Sequence, residues 1–212
     1  MCTANLLKIA HGGWFPLVVA VIVFALMTTW KTGRRVLGDR LRGSFIPLNM
    51  FLDDVQRTAP IRVPGTAVFM SSNAEATPLA LLHNLKHNRV LHKDVIFLTI
   101  QVEDVPHIHR EKRIELEKLR EGFHRVIARY GFMEDPNVPE ILDQCRPLGL
   151  EFDWMNTTFF LSRETIIATK EPGMWLWREK LFAFLSRNAQ RPTDFFRIPA
   201  NRVVELGMQV EM

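Results

Sequence analysis

The chain has 212 residues, with 27 Lys and Arg against 23 Asp and Glu and a formal net charge of +4. That balance is too mild for a nucleic-acid footprint, and no stripe of Lys and Arg interleaved with aromatics occurs, so nucleic acid is excluded as a partner. The two cysteines, Cys2 and Cys145, have no pairing logic and suit a reducing compartment, not a disulfide-stapled secreted fold.

In chain order, residues 1–11 form a short leading segment and residues 12–30 carry no charged side chain. As a helix rising about 1.5 Å per residue, the uncharged run covers roughly 28 Å, close to the hydrocarbon thickness of a bilayer. Trp14 and Trp30 stand at its ends, where indole rings favour the membrane interface. Pro16 falls in the first turn, where its missing N–H costs little. Gly12 and Gly13 would allow close approach of a neighbouring helix. A secretory signal has a shorter apolar core and a small-residue cleavage site. A buried core helix usually keeps a polar stripe. The run therefore reads as a transmembrane helix in contact with membrane lipid. Lys31, Arg34, Arg35, Arg40 and Arg42 follow it, offset by Asp39, whereas only Lys8 and His11 precede it. This basic bias places residues 1–11 on the non-cytoplasmic side and residues 31–212 in the cytoplasm, and it favours anionic lipid.

Residues 31–65 read as a basic juxtamembrane helix, continuing toward Gly43, and a linker. Within them Leu48, Phe51, Leu52 and Val55 have helical spacing, and Arg62-Val-Pro-Gly65 closes the linker. Residues 66–212 are long enough for one globular domain with its own core. Residues 66–71 form a buried-type strand. Thr77 reads as an N-cap before Pro78, opening a helix to about Asn88. Residues 95–102 are an almost unbroken β-branched run, as in a central strand covered on both faces. Strand, helix, strand implies a βαβ unit. Residues 113–132 read as a β-hairpin turning at Glu121-Gly122. Asn137 and Glu140 have capping-box spacing, opening a helix that ends near Cys145. Residues 156–161 make a further strand. Residues 173–188 make an amphipathic helix with Leu176, Leu181, Phe184 and Leu185 inward, and residues 202–210 make a last strand. The fold class is one N-terminal transmembrane α-helix followed by a cytoplasmic α/β domain with a βαβ core, a β-hairpin and flanking amphipathic helices.

Several stretches carry a family resemblance. Lys8-Ile-Ala-His-Gly-Gly-Trp-Phe-Pro-Leu17 and Met27-Thr-Thr-Trp-Lys31 resemble the last transmembrane segment of Kup-type potassium uptake transporters. Val63-Pro-Gly-Thr-Ala-Val-Phe-Met-Ser71, His83-Asn-Leu-Lys-His-Asn-Arg-Val-Leu-His92, Tyr130-Gly-Phe, Pro136-Asn-Val138, Phe159-Phe-Leu-Ser162, Arg187-Asn-Ala189 and Asn201-Arg-Val-Val-Glu-Leu-Gly-Met-Gln-Val-Glu211 resemble that family's cytoplasmic C-terminal domain. The resemblance implies proton-coupled potassium uptake at a bacterial plasma (inner) membrane, through a permease of many spans. It also implies that this chain holds the last span and the tail. The ion-binding helices would precede Lys8, so no ion-binding motif carries over. The chain alone is then expected to move no potassium, and its partners are the remaining transmembrane helices of the permease.

Other residues invite a chemical reading. His83 and His87 lie four apart on one helix, with His92 just beyond, a spacing that can hold zinc but lacks a further ligand. Structural or interface roles are preferred there. Glu103, Asp104 and His107 follow the strongest strand, at the end where α/β domains place ligands, and a solvated loop is the simpler reading. Ser71 and Ser72 precede a helix N-terminus, which suits an anion, but no glycine-rich loop accompanies them. Some potassium transporters of related type carry tails resembling universal stress proteins, a class that binds nucleotides. By that analogy a regulatory nucleotide is a candidate partner, as is a homodimer through the cytoplasmic domain. A membrane-anchored module sensing a nucleotide or other small ligand is the alternative function. No nucleophile–base set argues for an enzyme, and no cofactor or metal is expected.

Overall fold

A computed structural model describes residues 14–43, 45–167, 174–190 and 192–211. Gly12 and Gly13, the segment 1–11, and Gly173 at the start of the expected last helix lie outside the described residues. In chain order the elements are α1 (Trp14–Arg42), α2 (Leu48–Thr58), β1 (Ile61–Ser71), α3 (Leu79–Asn88), β2 (Val90–Glu103) and the single turn α4 (Arg110–Arg113). Then come β3 (Ile114–Arg120), β4 (Phe123–Gly131), α5 (Val138–Cys145), β5 (Thr157–Ile167), α6 (Leu176–Arg187), the short α7 (Pro192–Phe195) and β6 (Val203–Glu211). Two compact units result, one from residues 1–43, 165–189 and 209–212, the other from residues 44–164 and 190–208.

In the first unit, α1 is apolar and exposed on every side from Trp14 to Phe24. Among the described residues it is the one helix long and apolar enough to cross a membrane. As expected, it runs on without a break through the basic cluster and ends just before Gly43. After Phe24 its burial becomes one-sided. Thr29, Gly33 and Leu37, one helical turn apart, are buried. They face α6, whose Phe182 packs with Leu37, Ala183 and Ile166. A Cβ on Gly33 would stand 2.4 Å from the Phe182 ring, so only glycine admits this approach.

The inward face of α6 differs from expectation. Glu179, Phe182 and Ala183 are buried, whereas Leu176 and Phe184 are 45% and 61% exposed. The helix is apolar on both faces, so periodicity alone chose the wrong one. The ring of Phe182 against Gly33 sets the phase.

The second unit is built on a six-stranded sheet in the order β3-β4-β2-β1-β5-β6. β1 pairs in parallel with β2 and β5, and β2 with β4, while β3 and β4 form the expected antiparallel hairpin. β1, α3 and β2 make the expected βαβ unit. Alternate residues of the central strands serve two cores. Val68, Ile96, Leu98, Val126 and Phe159 pack with Ile141, Leu142 and Cys145 of α5. Ala67, Phe69, Val95 and Phe97 pack with α2 and α3. Each fully buried large apolar side chain contributes roughly 1.5–3 kcal/mol.

Three local readings are corrected. Arg62-Val-Pro-Gly65 is the start of β1, not a linker. Ile61 and Val63 pair with Val90 and His92, and a register shift between Val63 and Thr66 absorbs Pro64 and Gly65. Thr77 does not cap α3. Its hydroxyl is buried without a partner, and the Ala80 amide donates instead to Ser162 Oγ at 3.0 Å. The capping box at α5 is not formed either, since Asn137 Nδ2 donates to the Glu140 carboxylate at 2.8 Å.

Leu48, Phe51, Leu52 and Val55 of α2 are all buried, as their spacing predicts. Leu52 is 2% exposed. Leu52→Ala is expected to destabilise the domain by about 2–5 kcal/mol, measured by urea unfolding of the full chain in detergent. A surface linker helix would give a shift within about 0.5 kcal/mol.

Candidate functional site

The membrane-facing candidates lie on α1. Trp14 opens the helix, 54% exposed, and Pro16 sits in its first turn. Trp30 closes the uncharged run, its ring 5.5 Å from that of Phe182 in an edge-on contact. Lys31 is exposed. Beside them Arg178 Nε donates to Thr29 Oγ1 at 3.1 Å, and its terminal nitrogen reaches Thr32 Oγ1 at 3.5 Å. These bonds let a polar band form where the apolar part of α1 ends. Glu179 is fully buried, with one carboxylate oxygen accepting from the Met174 amide at 3.1 Å.

In the second unit, the loop after β1 is closed on itself. Ser71 Oγ donates to the Asn73 carbonyl at 2.8 Å, and Asn73 Oδ1 accepts from the Glu75 amide at 3.0 Å. Ser72 is exposed. The adjacent α3 N-terminus already receives Ser162, and Arg125 nearby is paired with Glu75 at 2.7 Å and Glu117 at 2.5 Å. The local donors and positive charge that an anion would use are therefore engaged within the protein.

The histidines separate. His83 and His87 stack on α3 with ring centroids 5.9 Å apart. His92 lies on β2, edge-on to Phe160 at 5.7 Å. Among the described residues, no three His, Cys, Asp or Glu side chains are grouped to hold a metal. Burial holds the His92 imidazole below its ordinary pKa, so it is neutral at pH 7.

After β2, Glu103 is 3.9 Å from Arg129, and Asp104 and His107 are exposed. Glu134, which the sequence reading did not single out, organises this loop. Its carboxylate accepts from the Gly131 amide at 2.8 Å and the Ile108 amide at 3.1 Å, and it pairs with Arg113. The Arg113 guanidinium lies 4.9 Å from the Tyr130 ring centroid. The Gly131 amide first, with the Ile108 amide and Arg113 adding to it, holds Glu134 below the usual carboxylate range.

One open cleft of about 550 Å³ is lined by Pro64, His92, Asn156, Thr158, Asn201 and Arg202, among others. Three stretches quoted above for their resemblance meet there, the first strand, the histidine segment and the last strand. Gly65, at φ +101°, belongs to the same corner. A Cβ there would stand 2.8 Å from the Asn156 carbonyl oxygen. Arg202 is held in place by donating to the Met155 carbonyl at 2.8 Å. The lining presents hydrogen-bond donors, a guanidinium and no carboxylate. It is therefore a poor cation site and suits a polar or anionic group. Sequence reasoning reached His92 but not Asn156, Asn201 or Arg202, whose only signal was their place in or next to resembling segments.

A membrane-length helix joined to a mixed α/β domain defines the class of protein. Family models agree with both parts. Residues 64–212 match the K+ potassium transporter C-terminal domain, and residues 1–35 match the K+ potassium transporter integral membrane domain. The chain belongs to the K+ potassium transporter family. It is 60% identical over 209 residues to the probable potassium transport system protein Kup of Myxococcus xanthus. It is 52% identical to Kup 2 of Chromobacterium violaceum and 51% to Kup 1 of Paramagnetospirillum magneticum. These matches cover 99% of this chain and 32–34% of each relative, so the chain spans about a third of their length. No solved structure matches it.

A lowered carboxylate pKa stabilises the fold above its unfolded-state value, and that contribution is lost as pH falls through the folded-state value. Glu134→Gln should therefore lower the unfolding midpoint at pH 7. The gap to the parent chain should close as pH falls below about 4, near the unfolded carboxylate value. Thermal scans of the full chain across pH check this.

Proposed function

We propose that this chain serves as the closing span and cytoplasmic domain of a potassium uptake permease of the bacterial inner membrane. The observation that supports the reading is the order of the matches, an integral-membrane segment at residues 1–35 and a transporter tail at residues 64–212, with relatives named for potassium transport aligned over 99% of the chain. In this reading α1 crosses the bilayer over its uncharged part. Its last turns and basic residues lie at the cytoplasmic surface, and the sheet domain follows in the cytoplasm. Trp14 and Trp30 mark the two interfaces, and lipid and the other helices of the permease cover the exposed faces of α1.

The division of labour follows from physics. Secondary transporters hold ions near the midplane on broken helices at a repeat interface. α1 is unbroken from Trp14 to Arg42 and carries no charged side chain before Lys31. Its contribution is therefore to bundle packing and to anchoring the domain, not to ion coordination. The chain is read as a component of a carrier rather than as an enzyme. Nucleotide binding at Ser71 and Ser72 draws no support from a loop whose polar atoms bond one another.

Complementation tests the proposal. In a strain lacking potassium uptake, the chain alone is expected to give no growth at low potassium. A chimera of the membrane domain of the Myxococcus xanthus relative, with this chain replacing its corresponding last third, is expected to restore growth. Rescue by the chain alone, or a membrane-inserted chimera that fails to rescue, would contradict it.

A further inference from the structure

α6 carries two apolar faces, and only one has a partner within its unit. Glu179, Phe182 and Ala183 are turned to α1. At 100° per residue, Leu176, Trp177, Lys180 and Phe184 fall within one quadrant, its centre turned roughly 120° from that of the buried face. Leu176, Trp177 and Phe184 there are 45%, 52% and 61% exposed, and Trp175, just before the helix, is 76% exposed. An apolar patch of this kind on one short helix marks an interaction surface.

The depth of that patch is fixed inside the unit. Arg178 bonds Thr29, and Phe182 lies against Trp30 and Gly33. Those residues sit where the uncharged run of α1 gives way to Lys31, Arg34 and Arg35. Trp175 and Trp177 therefore lie within one turn of a residue bonded at the level of Trp30, the level at which indole rings favour lipid headgroups. Lys180 and Arg187 are exposed alongside them, as on interfacial helices whose long basic stems reach toward headgroups.

The geometry points to α6 as an interfacial helix, with Trp175, Leu176, Trp177 and Phe184 seated in the cytoplasmic headgroup layer of the membrane that α1 crosses. Lys180 and Arg187 would meet anionic lipid. The first unit is then tied to the bilayer at two places, by α1 through it and by α6 along it. This rests on the reading of α1 as a span.

Nitroxide labels placed one at a time at Trp177→Cys, Lys180→Cys and Phe184→Cys test it, in the full chain carrying Cys2→Ser. Lys180→Cys keeps every aromatic residue of the patch. Cys145 is buried, and its thiol is pushed up to about 12, so it stays unlabelled at neutral pH. The vesicles are phosphatidylethanolamine with phosphatidylglycerol. Labels at Val21→Cys and Glu151→Cys serve as lipid and water references. The α6 labels should collide with a water-soluble nickel chelate several-fold less than the Glu151 site does, while remaining open to oxygen. Chelate exposure equal to that at Glu151, with Val21 in lipid, overturns the α6 assignment alone. Exclusion of both reagents from the α6 sites means that a second copy or another protein helix covers the face, and overturns it too. A chelate-exposed Val21 overturns the span and this inference together.

Discussion

A backbone that enters hydrocarbon must satisfy its own hydrogen bonds, and a helix that does so cannot carry charge over about twenty residues. That constraint accounts for the composition of α1 from Trp14 to Trp30 and for the abrupt basic cluster after it. It also accounts for the change in how α1 is packed. Up to Phe24 every side is open, as the proposed span would require. From Thr29 onward one stripe, Thr29, Gly33 and Leu37, is reserved for protein. The change occurs close to Lys31, where the uncharged run gives way to the basic cluster.

The sheet domain follows a different logic. β4, β2, β1 and β5 run parallel and are covered on both faces, so their inward residues are apolar on alternate sides and their runs look continuous. Polar chemistry is pushed to the strand ends. At the carboxyl ends of β1 and β2, where ligands often bind in such folds, the polar groups are committed to Ser71–Asn73 and to Glu134 with Arg113. An open cleft lies near the other end, beside His92, Asn156 and Arg202, and its lining holds a guanidinium and no carboxylate.

Much of this was legible in the chain. The long apolar helix followed from the length of the uncharged run. The strands followed from β-branched runs, the hairpin from Glu121-Gly122 between alternating segments, and the buried face of α2 from the spacing of Leu48, Phe51, Leu52 and Val55. What could not be read depends on partners far away in sequence. The α3 N-terminus is capped by Ser162, 82 residues from Ala80. Arg113 and Glu134 are 21 apart and belong to different elements. The phase of α6 is decided by Gly33 on another helix, since Leu176, Leu181 and Phe184 offer as good an apolar stripe as Phe182 and Ala183. The cleft brings together residues near 64, 92, 156 and 202, each unremarkable in its own segment.

The central claim is that α1 crosses the membrane and leaves the sheet domain in the cytoplasm. Paired reporter fusions after Met212, expressed in a bacterial inner membrane, test it most directly. The account predicts a fluorescent green fluorescent protein fusion and an inactive alkaline phosphatase fusion, with both chains resisting carbonate extraction. An active phosphatase, a dark fluorescent fusion or release by carbonate would contradict it.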